Sequence, residues 1–211
     1  MRRTLLILAA LLMAPAVLLN AAEKTFTPDM VHSRIGFSAK TLFKVEGNFG
    51  KYTTDISGDP DALDTAKVRV EIDVASINTE NRSRDGHLIT PDFFNLAKYP
   101  KIVFTSSKVW KQESLVMVQG TLDMHGVKKE LTIPFEFSFG KNGAGVDTWS
   151  YEGNVKINRN DYGIGSDSIA AKIGLKDTVE LNLQLVGFFH EKEAVKAEPA
   201  KTSVKKQKKG E

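Results

Sequence analysis

Apolar and polar residues alternate with a period of two along the middle of this chain. Apolar side chains occupy every second position in residues 68–74, 131–139 and 179–185. Because successive side chains of a strand point to opposite faces, each segment predicts a strand with one apolar face and one solvated face. This arrangement is typical of antiparallel sheets. Weaker versions of the pattern occur in residues 35–37, 45–49, 102–104, 116–122 and 151–157.

Turn-forming residues separate these segments. The stretches 58–61 (GDPD), 125–126 (HG) and 141–145 (KNGAG) are suited to tight connections. The sequence therefore predicts an all-β fold of about eight short antiparallel strands, arranged as a sandwich or as a closed barrel. A single open sheet of this size would leave two edges exposed.

Inward-facing glycines interrupt several of these strands. Gly47, Gly120 and Gly153 occupy positions at which the alternation predicts an interior side chain. A glycine inside a strand marks either a sharp bend or the close approach of a ligand or another backbone. The sequence leaves both explanations open.

Residues 79–100 do not alternate. Residues 90–92 (TPD) offer an N-cap, a proline at the first helical position and an acid in the first turn. They predict a short helix that carries Phe93, Phe94 and Leu96 and ends before Pro100, with an earlier turn around residues 82–85. We interpret this segment as a helical excursion over one end of the barrel. The alternative is a surface loop that plugs the core.

The N-terminus has the pattern of a secretory signal peptide. Arg2 and Arg3 precede an almost wholly apolar stretch, residues 5–19, and small residues follow at Ala21 and Ala22. This order predicts a signal peptide over residues 1–22, with cleavage after Ala21 or Ala22. An uncleaved anchor is the alternative, although the apolar stretch is short for a bilayer span. The chain has no cysteine, so an exported product must be stabilised by apolar burial rather than by disulfides. We expect a periplasmic protein.

The C-terminal residues differ again in composition. Residues 191–211 contain seven lysines, four glutamates and no aromatic residue, a composition that predicts a disordered tail. The formal net charge of the chain is +3, of which the signal segment supplies +2 and the tail +3. The predicted barrel, residues 23–190, therefore carries a charge of −2. A nucleic-acid partner is not expected, because it would require a basic face on the fold itself.

Motifs for catalysis or for metal binding are missing from the sequence. The four histidines are scattered, there is no cysteine partner for them, and neither a nucleophile elbow nor a phosphate loop occurs. We interpret the pairs Arg84–Asp85 and Arg159–Asp161 as ion pairs that fix the helix and a late turn. The sequence thus predicts neither an enzyme nor a bound cofactor or metal ion.

An ordered series of short motifs resembles the YceI-like family of periplasmic polyisoprenoid-binding proteins. The resemblance covers nearly all of residues 25–188. It implies an extended, lipocalin-like antiparallel barrel with a polyprenyl or quinone-type chain along its axis. The motifs are Asp29-x-x-His32-Ser33-x-Ile35-x-Phe37, Val45-x-Gly47-x-Phe49, Ser76-Ile77-x-Thr79, Arg84-Asp85-x-His87-Leu88, Asp92-Phe93-Phe94-x-x-x-x-Tyr99-Pro100, Phe104-x-Ser106, Gly120-x-Leu122-x-x-x-Gly126-Val127 and Arg159-x-Asp161-Tyr162-Gly163-x-Gly165.

The resemblance and the alternation together give a set of candidate ligand-binding residues. Burial of apolar surface alone can hold such a chain, because it yields about 25 cal/mol per Å². The other interpretation is that the same side chains fill one another's space as an ordinary core; periodicity does not separate the two. The candidates are Ile35, Phe37, Phe43, Val45, Phe49, Phe93, Phe94, Phe104, Val118, Leu122, Phe135, Phe137, Val155, Tyr162 and Leu183.

The sequence therefore favours a periplasmic protein that sequesters or carries a polyisoprenoid or quinone-type amphiphile. Three alternatives stay open. The barrel could bind a fatty acid or fatty amide, or act as an enzyme on an isoprenoid lipid with Asp85, His87 or Asp161 as acid or base. It could also be an envelope interaction protein that works through its lysine tail. A homodimer and weak contact of the tail with an anionic envelope surface are further options.

Overall fold

The computed structural model describes residues 24–191. The predicted signal peptide, and the predicted tail except Glu191, lie outside the described residues. Two short helices are present, α1 (Arg82–Leu88) and α2 (Ile169–Gly174). The strands are β1 (Lys24–Pro28), β2 (Arg34–Lys40), β3 (Lys44–Phe49), β4 (Tyr52–Asp59), β5 (Ala62–Asp73), β6 (Ile77–Asn78), β7 (Lys101–Gln112), β8 (Leu115–Met124), β9 (Val127–Lys141), β10 (Asp147–Asn158) and β11 (Thr178–Glu191).

The strands close into one antiparallel barrel. β1 pairs with β11 on one side and with β4 on the other, while β2 pairs with β11 and β3. β1–β2, β3–β4 and β5–β6 are thus each two parts of one long, interrupted strand, which gives a barrel of eight. The choice that the sequence left open is resolved in favour of the barrel, because the described strands pair in a closed ring.

The predicted faces of the strands are confirmed. In β5, Val68, Val70 and Ile72 pack against the buried core, and Lys67, Arg69 and Glu71 lie on the opposite face. In β9 the predicted face is confirmed at Ile133 and Phe135, which are buried, whereas Phe137 and Phe139, predicted on the same face, are exposed near the end of the strand. Strand pairing then places apolar residues of neighbouring strands side by side on the inner wall, as in the pair Leu183–Ile35.

The excursion between β6 and β7 is present, but its helix lies earlier than we predicted. The helix spans residues 82–88, and residues 91–98 form successive turns. Asn81 is the N-cap, because its side chain accepts a hydrogen bond from the Arg84 N–H. Thr90, the predicted N-cap, instead donates its hydroxyl to the carbonyl of His87. Thr90 therefore ends one helix rather than beginning another.

The predicted ion pairs of the two Arg–Asp motifs are also different in the structure. Arg84 and Asp85 both bind Thr79: Arg84 Nε donates to the Thr79 hydroxyl at 2.7 Å, and that hydroxyl donates to Asp85. Because both partners hold the residue that follows β6, they fix α1 to the barrel. Asp161 pairs with Lys129 at 3.2 Å rather than with Arg159.

Arg159 organises the end of the barrel that carries α2. Only 4 % of its surface is exposed, and its side-chain N–H groups donate to the carbonyls of Ile164, Ala171, Leu175 and Lys176. Its Nη2 also lies 3.2 Å from the Asp177 carboxylate. A buried cation is tolerated only when it is paired and hydrogen-bonded in this way. Arg159 therefore holds residues 164–177 against the barrel.

We predict that Arg159→Lys lowers the free energy of unfolding by about 2–4 kcal/mol, because lysine cannot reach carbonyls in several directions at once. Urea unfolding of the variant measures this loss. Arg69→Lys is the matched control: Arg69 is exposed, and its pair with Glu71 at 3.3 Å is worth less than about 1 kcal/mol. Equal losses in the two variants would contradict this role for Arg159.

None of the helices within residues 24–191 is long and apolar enough to cross a membrane.

Candidate ligand-binding site

The barrel interior contains an apolar cavity of about 170 Å³ next to the two helices. Side chains of the strands form its wall, among them Ile35, Val70 and Leu183, and Phe93 and Phe94 close it at the end that carries α1. Arg159 is the charged residue among those that line it, and its donors are already bound to backbone carbonyls and Asp177. The cavity thus offers an occupant apolar contact and almost no free polar group.

A second cavity of about 80 Å³ lies towards the opposite end of the barrel, which we call the hairpin end because the β9–β10 turn projects from it. Phe26, Tyr151 and Phe189 line this cavity. Ring contacts continue outward from Phe189 to Trp149 at 5.3 Å and from Trp149 to Phe139 at 4.7 Å. Aromatic surface therefore leads from the cavity to the rim, where Phe139 is 59 % exposed.

The two cavities share part of their wall. Val68, Val118, Phe135 and Leu185 line both of them, so these four side chains form the constriction between the cavities. Each cavity alone is smaller than the roughly 300–1,000 Å³ of a typical small-molecule site. An occupant that uses both volumes must be slender and must pass these four side chains.

Glycines in the wall determine where the aromatic rings lie. A Cβ atom added to Gly153 would lie 2.6 Å from the ring of Phe135, its direct partner on β9. Similarly, a Cβ at Gly120 would lie 2.7 Å from Phe104. Each ring covers the glycine of a neighbouring strand, which is possible only because the glycine has no side chain. Phe104 and Phe135 are therefore placed beside the backbone of the neighbouring strand.

This arrangement answers the question that the inward glycines raised in the sequence. Their role is close approach: a phenylalanine ring of the protein approaches each glycine, and at Gly120 the backbone of Thr105 and Ser106 approaches as well. Gly47 follows the same rule, since a Cβ atom there would overlap the Phe37 ring. The pairing of Phe37 with Gly47 in the β2–β3 ladder places them side by side.

Polar groups on the inner wall are few. On β4, the hydroxyls of Tyr52 and Thr54 are buried and have no hydrogen-bond partner among the described residues. Burial raises the pKa of Tyr52, and the nearby Ser33 hydroxyl opposes this rise. The Ser33 Oγ donates to the Val186 carbonyl and accepts from the Val186 N–H, which leaves it one lone pair that faces the Tyr52 hydroxyl. The Thr54 hydroxyl is without a partner among the described residues.

Comparison with known proteins identifies the family. A family model described as a YceI-like domain matches residues 26–187. The chain belongs to the YceI-like family. A UPF0312 protein of Vibrio vulnificus is 30% identical over 186 residues, which cover 84% of this chain and 93% of the relative.

Solved structures share the fold of this YceI-like chain. The crystal structure of Burkholderia cenocepacia BcnA superposes with a TM-score of 0.69 at 24% identity, covering 77% of this chain and all of BcnA (100%). A polyisoprenoid binding domain from Saccharophagus degradans, implicated in plant cell wall breakdown, superposes with a TM-score of 0.57 at 17% identity and covers 80% and 98% of the two chains. At these identities the likeness concerns the fold.

The YceI-like barrel brings ten of the fifteen candidate residues to the larger cavity. They are Ile35, Phe37, Phe49, Phe93, Phe94, Phe104, Val118, Leu122, Phe135 and Leu183.

The other five candidates lie elsewhere. Tyr162 is buried in the core, Val155 packs against the core, and Val45 is half-buried. Phe137 stands at the rim of the hairpin end, 40 % exposed, with the Lys111 ammonium 5.5 Å from its ring. Phe43 is 65 % exposed in the β2–β3 turn.

Several lining residues were missing from the candidate set. Val70, Ile72 and Ile133 line the larger cavity, and the alternation already placed them on an inward face. Phe26 and Phe189 line the smaller cavity, but neither belonged to a recognised alternating segment. Their cross-strand pairing in the β1–β11 ladder is a long-range contact that a local pattern does not contain.

We predict that Gly153→Ala displaces the Phe135 ring towards the axis and destabilises the fold by about 1–3 kcal/mol through overpacking. Thermal or urea unfolding measures the loss, and a smaller interior should also take up less of an apolar probe dye. Gly140→Ala is the matched control, because Gly140 has nothing within 4 Å of an added Cβ. Unchanged stability and dye uptake in Gly153→Ala would show that the ring does not depend on the glycine.

A second prediction concerns alkaline pH. Burial raises the pKa of Tyr151 to about 12, above its ordinary value of about 10. Between these values the unfolded chain has lost the proton and the folded protein keeps it, so the free energy of unfolding falls as pH rises. We expect a fall of about 2 kcal/mol from this group, and its removal in Tyr151→Phe. Urea unfolding across this pH range tests it; an unchanged pH slope in the variant would refute it.

Proposed function

We propose that this YceI-like protein is a binding protein of the periplasm that sequesters or carries one polyisoprenoid or quinone-type lipid in its barrel. The apolar interior of the barrel is the observation that supports this proposal. Two apolar cavities lie one behind the other along the axis, and the charged side chain in the larger one, Arg159, already has its partners. Such a site suits a long molecule with very few polar atoms.

The chemistry of the wall supports a lipid chain. Rings and branched aliphatic side chains surround the axis, so binding depends on the transfer of apolar surface out of water. At about 25 cal/mol per Å², a chain of several isoprene units gains enough free energy to bind without any hydrogen bond. The structural neighbour from Saccharophagus degradans is described as a polyisoprenoid binding domain, which supports the same class of ligand here.

The sequence supports the proposed compartment. The pattern of residues 1–22 is that of a signal peptide, and a chain without cysteine does not depend on an oxidising compartment for its stability. We propose export to the periplasm, where a polyisoprenoid requires a carrier to leave a membrane. The proposal needs neither a homodimer nor the lysine tail.

A fatty acid is the second candidate, and one observation weighs against it. A buried carboxylate requires a cation or several N–H donors. In the larger cavity the candidate cation is Arg159, whose guanidinium donates to four carbonyls and contacts Asp177. A neutral lipid, or one whose polar end lies at an opening of the barrel, fits this interior better.

Catalysis has less support than binding. Of the three residues considered for acid–base chemistry, Asp85 binds Thr79, His87 pairs with Asp92, and Asp161 pairs with Lys129. None of the three lines either cavity. Within residues 24–191 no group of three or more His, Asp or Glu side chains is placed to hold a metal ion.

Extraction of purified protein with organic solvent, followed by mass spectrometry, tests the proposal. We expect a polyprenyl or quinone-type lipid from the full chain expressed in a bacterium. Val118→Phe, which fills the constriction between the cavities, should reduce the bound lipid at least several-fold, because a chain can no longer occupy both volumes.

Val103→Phe is the control for this experiment. Val103 lies on β7, next to the strand β8 that carries Val118, and its paired residues are Glu71 on β5 and Asp123 on β8. Its side chain is on the outer face of the barrel, so its substitution should leave the bound lipid unchanged. A lipid-free extract from the unaltered protein would overturn the proposal, and a fatty acid in the extract would support the second candidate.

A further inference from the structure

Four large apolar side chains stand almost entirely in solvent at the end of the barrel that carries the helices. Leu42 is 100 % exposed and Phe43 65 % exposed, both in the β2–β3 turn, while Ile169 and Ile173 of α2 are 74 % and 84 % exposed. Side chains of this size rarely stay in water as a group unless a partner covers them. We call these four residues the apolar tip.

The two segments of the apolar tip are joined. The backbone N–H of Lys176, just after α2, donates to the carbonyl of Lys40, just before the turn, at 2.8 Å. Within α2, Ala171 is 3 % exposed and faces the core, so Ile169 and Ile173, four residues apart, share the opposite face of the helix. The helix thus presents its isoleucines on the side that the barrel does not cover.

Positive charge surrounds the apolar tip. Lys40, Lys172 and Lys176 are exposed, and no ion pair joins them to an acidic side chain among the described residues. Of the acids nearby, Glu46 pairs with Lys44 and Asp177 pairs with Arg159. Asp167, before α2, and the half-buried Glu180 of β11, which interacts electrostatically with Lys44, are the acids left over against the three lysines. The tip is therefore locally basic, although residues 23–190 as a whole carry a charge of −2.

The apolar tip also lies beside the larger cavity. Ala39 and Leu175, each one residue from the lysines that join the two segments, line that cavity together with Val179. Val179 pairs directly with Ala39 in the β11–β2 ladder. A chain that leaves the cavity at this end therefore reaches the surface at the apolar tip.

We propose that the apolar tip is a membrane-docking surface. Leu42, Phe43, Ile169 and Ile173 enter the acyl boundary of an anionic bilayer, while the three lysines contact lipid phosphates. A bilayer provides both apolar depth and negative charge in one surface, as a peripheral amphipathic element requires. The exposure of the apolar tip and the charge around it support docking by themselves. The use of this surface in loading or releasing lipid rests on the proposed function.

A second copy of the chain is a less suitable occupant. A symmetric contact through the apolar tip would bring Lys172 and Lys176 of one copy towards the same lysines of the other, since symmetric dimers bury the same patch twice. Such a contact would add repulsion between like charges. An anionic membrane removes that conflict.

Flotation with phospholipid vesicles tests the inference on protein purified from cells that express the full chain. We expect the protein to bind phosphatidylglycerol vesicles at low salt, and to bind pure phosphatidylcholine vesicles several-fold more weakly. Ile169→Ser/Ile173→Ser should lower the partition onto phosphatidylglycerol vesicles by about tenfold or more, because two deep apolar contacts are lost. Lys172→Gln/Lys176→Gln should reduce the preference for the anionic lipid.

Two controls separate the apolar tip from other apolar or basic parts of the chain. Phe139→Ser/Val146→Ser removes two exposed apolar side chains, 59 % and 44 % exposed, at the hairpin end, and should leave vesicle binding unchanged. Replacement of the seven lysines of residues 192–209 by glutamine removes the positive charge of the C-terminal segment. Vesicle binding that disappears with this change, but not with the isoleucine variant, would overturn the inference.

Solvent extraction of the same variants distinguishes failure of this inference from failure of the proposed function. Bound lipid in every variant, with vesicle binding independent of the apolar tip, would refute the docking surface alone. Absence of bound lipid, with vesicle binding that still depends on the tip, would refute the proposed cargo alone. Analytical ultracentrifugation covers the remaining occupant: a dimer lost in the isoleucine variant, without vesicle binding by the unaltered protein, would assign the surface to a second copy.

Discussion

Aromatic rings pack against glycines of neighbouring strands throughout the inner wall, and the shape of the interior depends on this contact. Phe135 covers Gly153, Phe37 covers Gly47, and the ring of Phe26 lies over Gly187. A small barrel of about eight strands is ordinarily filled by its own side chains or has room for one ligand. Because these rings lie over glycines, they take up less of the interior than they would beside larger side chains.

This packing has an energetic consequence. An interior that is left unfilled is unfavourable, and a cavity of about 170 Å³ costs on the order of 4 kcal/mol at about 24 cal/mol per Å³. An apolar occupant returns that free energy and adds the transfer of its own surface from water. In the proposed function, a bound lipid chain therefore offsets the instability of the empty interior, whereas Arg159 and the Thr79 contacts of Arg84 and Asp85 keep the helix end in place.

Local sequence patterns predicted the strand faces of this structure, but not the position of its first helix or its long-range contacts. A strand has a strict period of two, so the inward faces of β5, β9 and β11 followed directly from the sequence. The position of α1 did not, because Thr90 suits the end of one helix as well as the start of another, and only the contact with the His87 carbonyl decides. Other contacts join residues that are distant in the sequence: Arg159 pairs with Asp177, and the Phe135 ring covers Gly153. The period of a single strand carries no information about such contacts.

In the proposed function, one slender apolar molecule lies along the axis of the barrel and passes Phe135. A crystal structure of protein purified from the cells that produced it, without added lipid, would show whether this molecule is present. We predict elongated electron density that runs from the Phe26–Phe189 contact, past Val118 and Phe135, to Phe93 and Ile164. An interior without such density, in which the phenylalanine rings have left their glycines and meet on the axis, would refute this mode of binding.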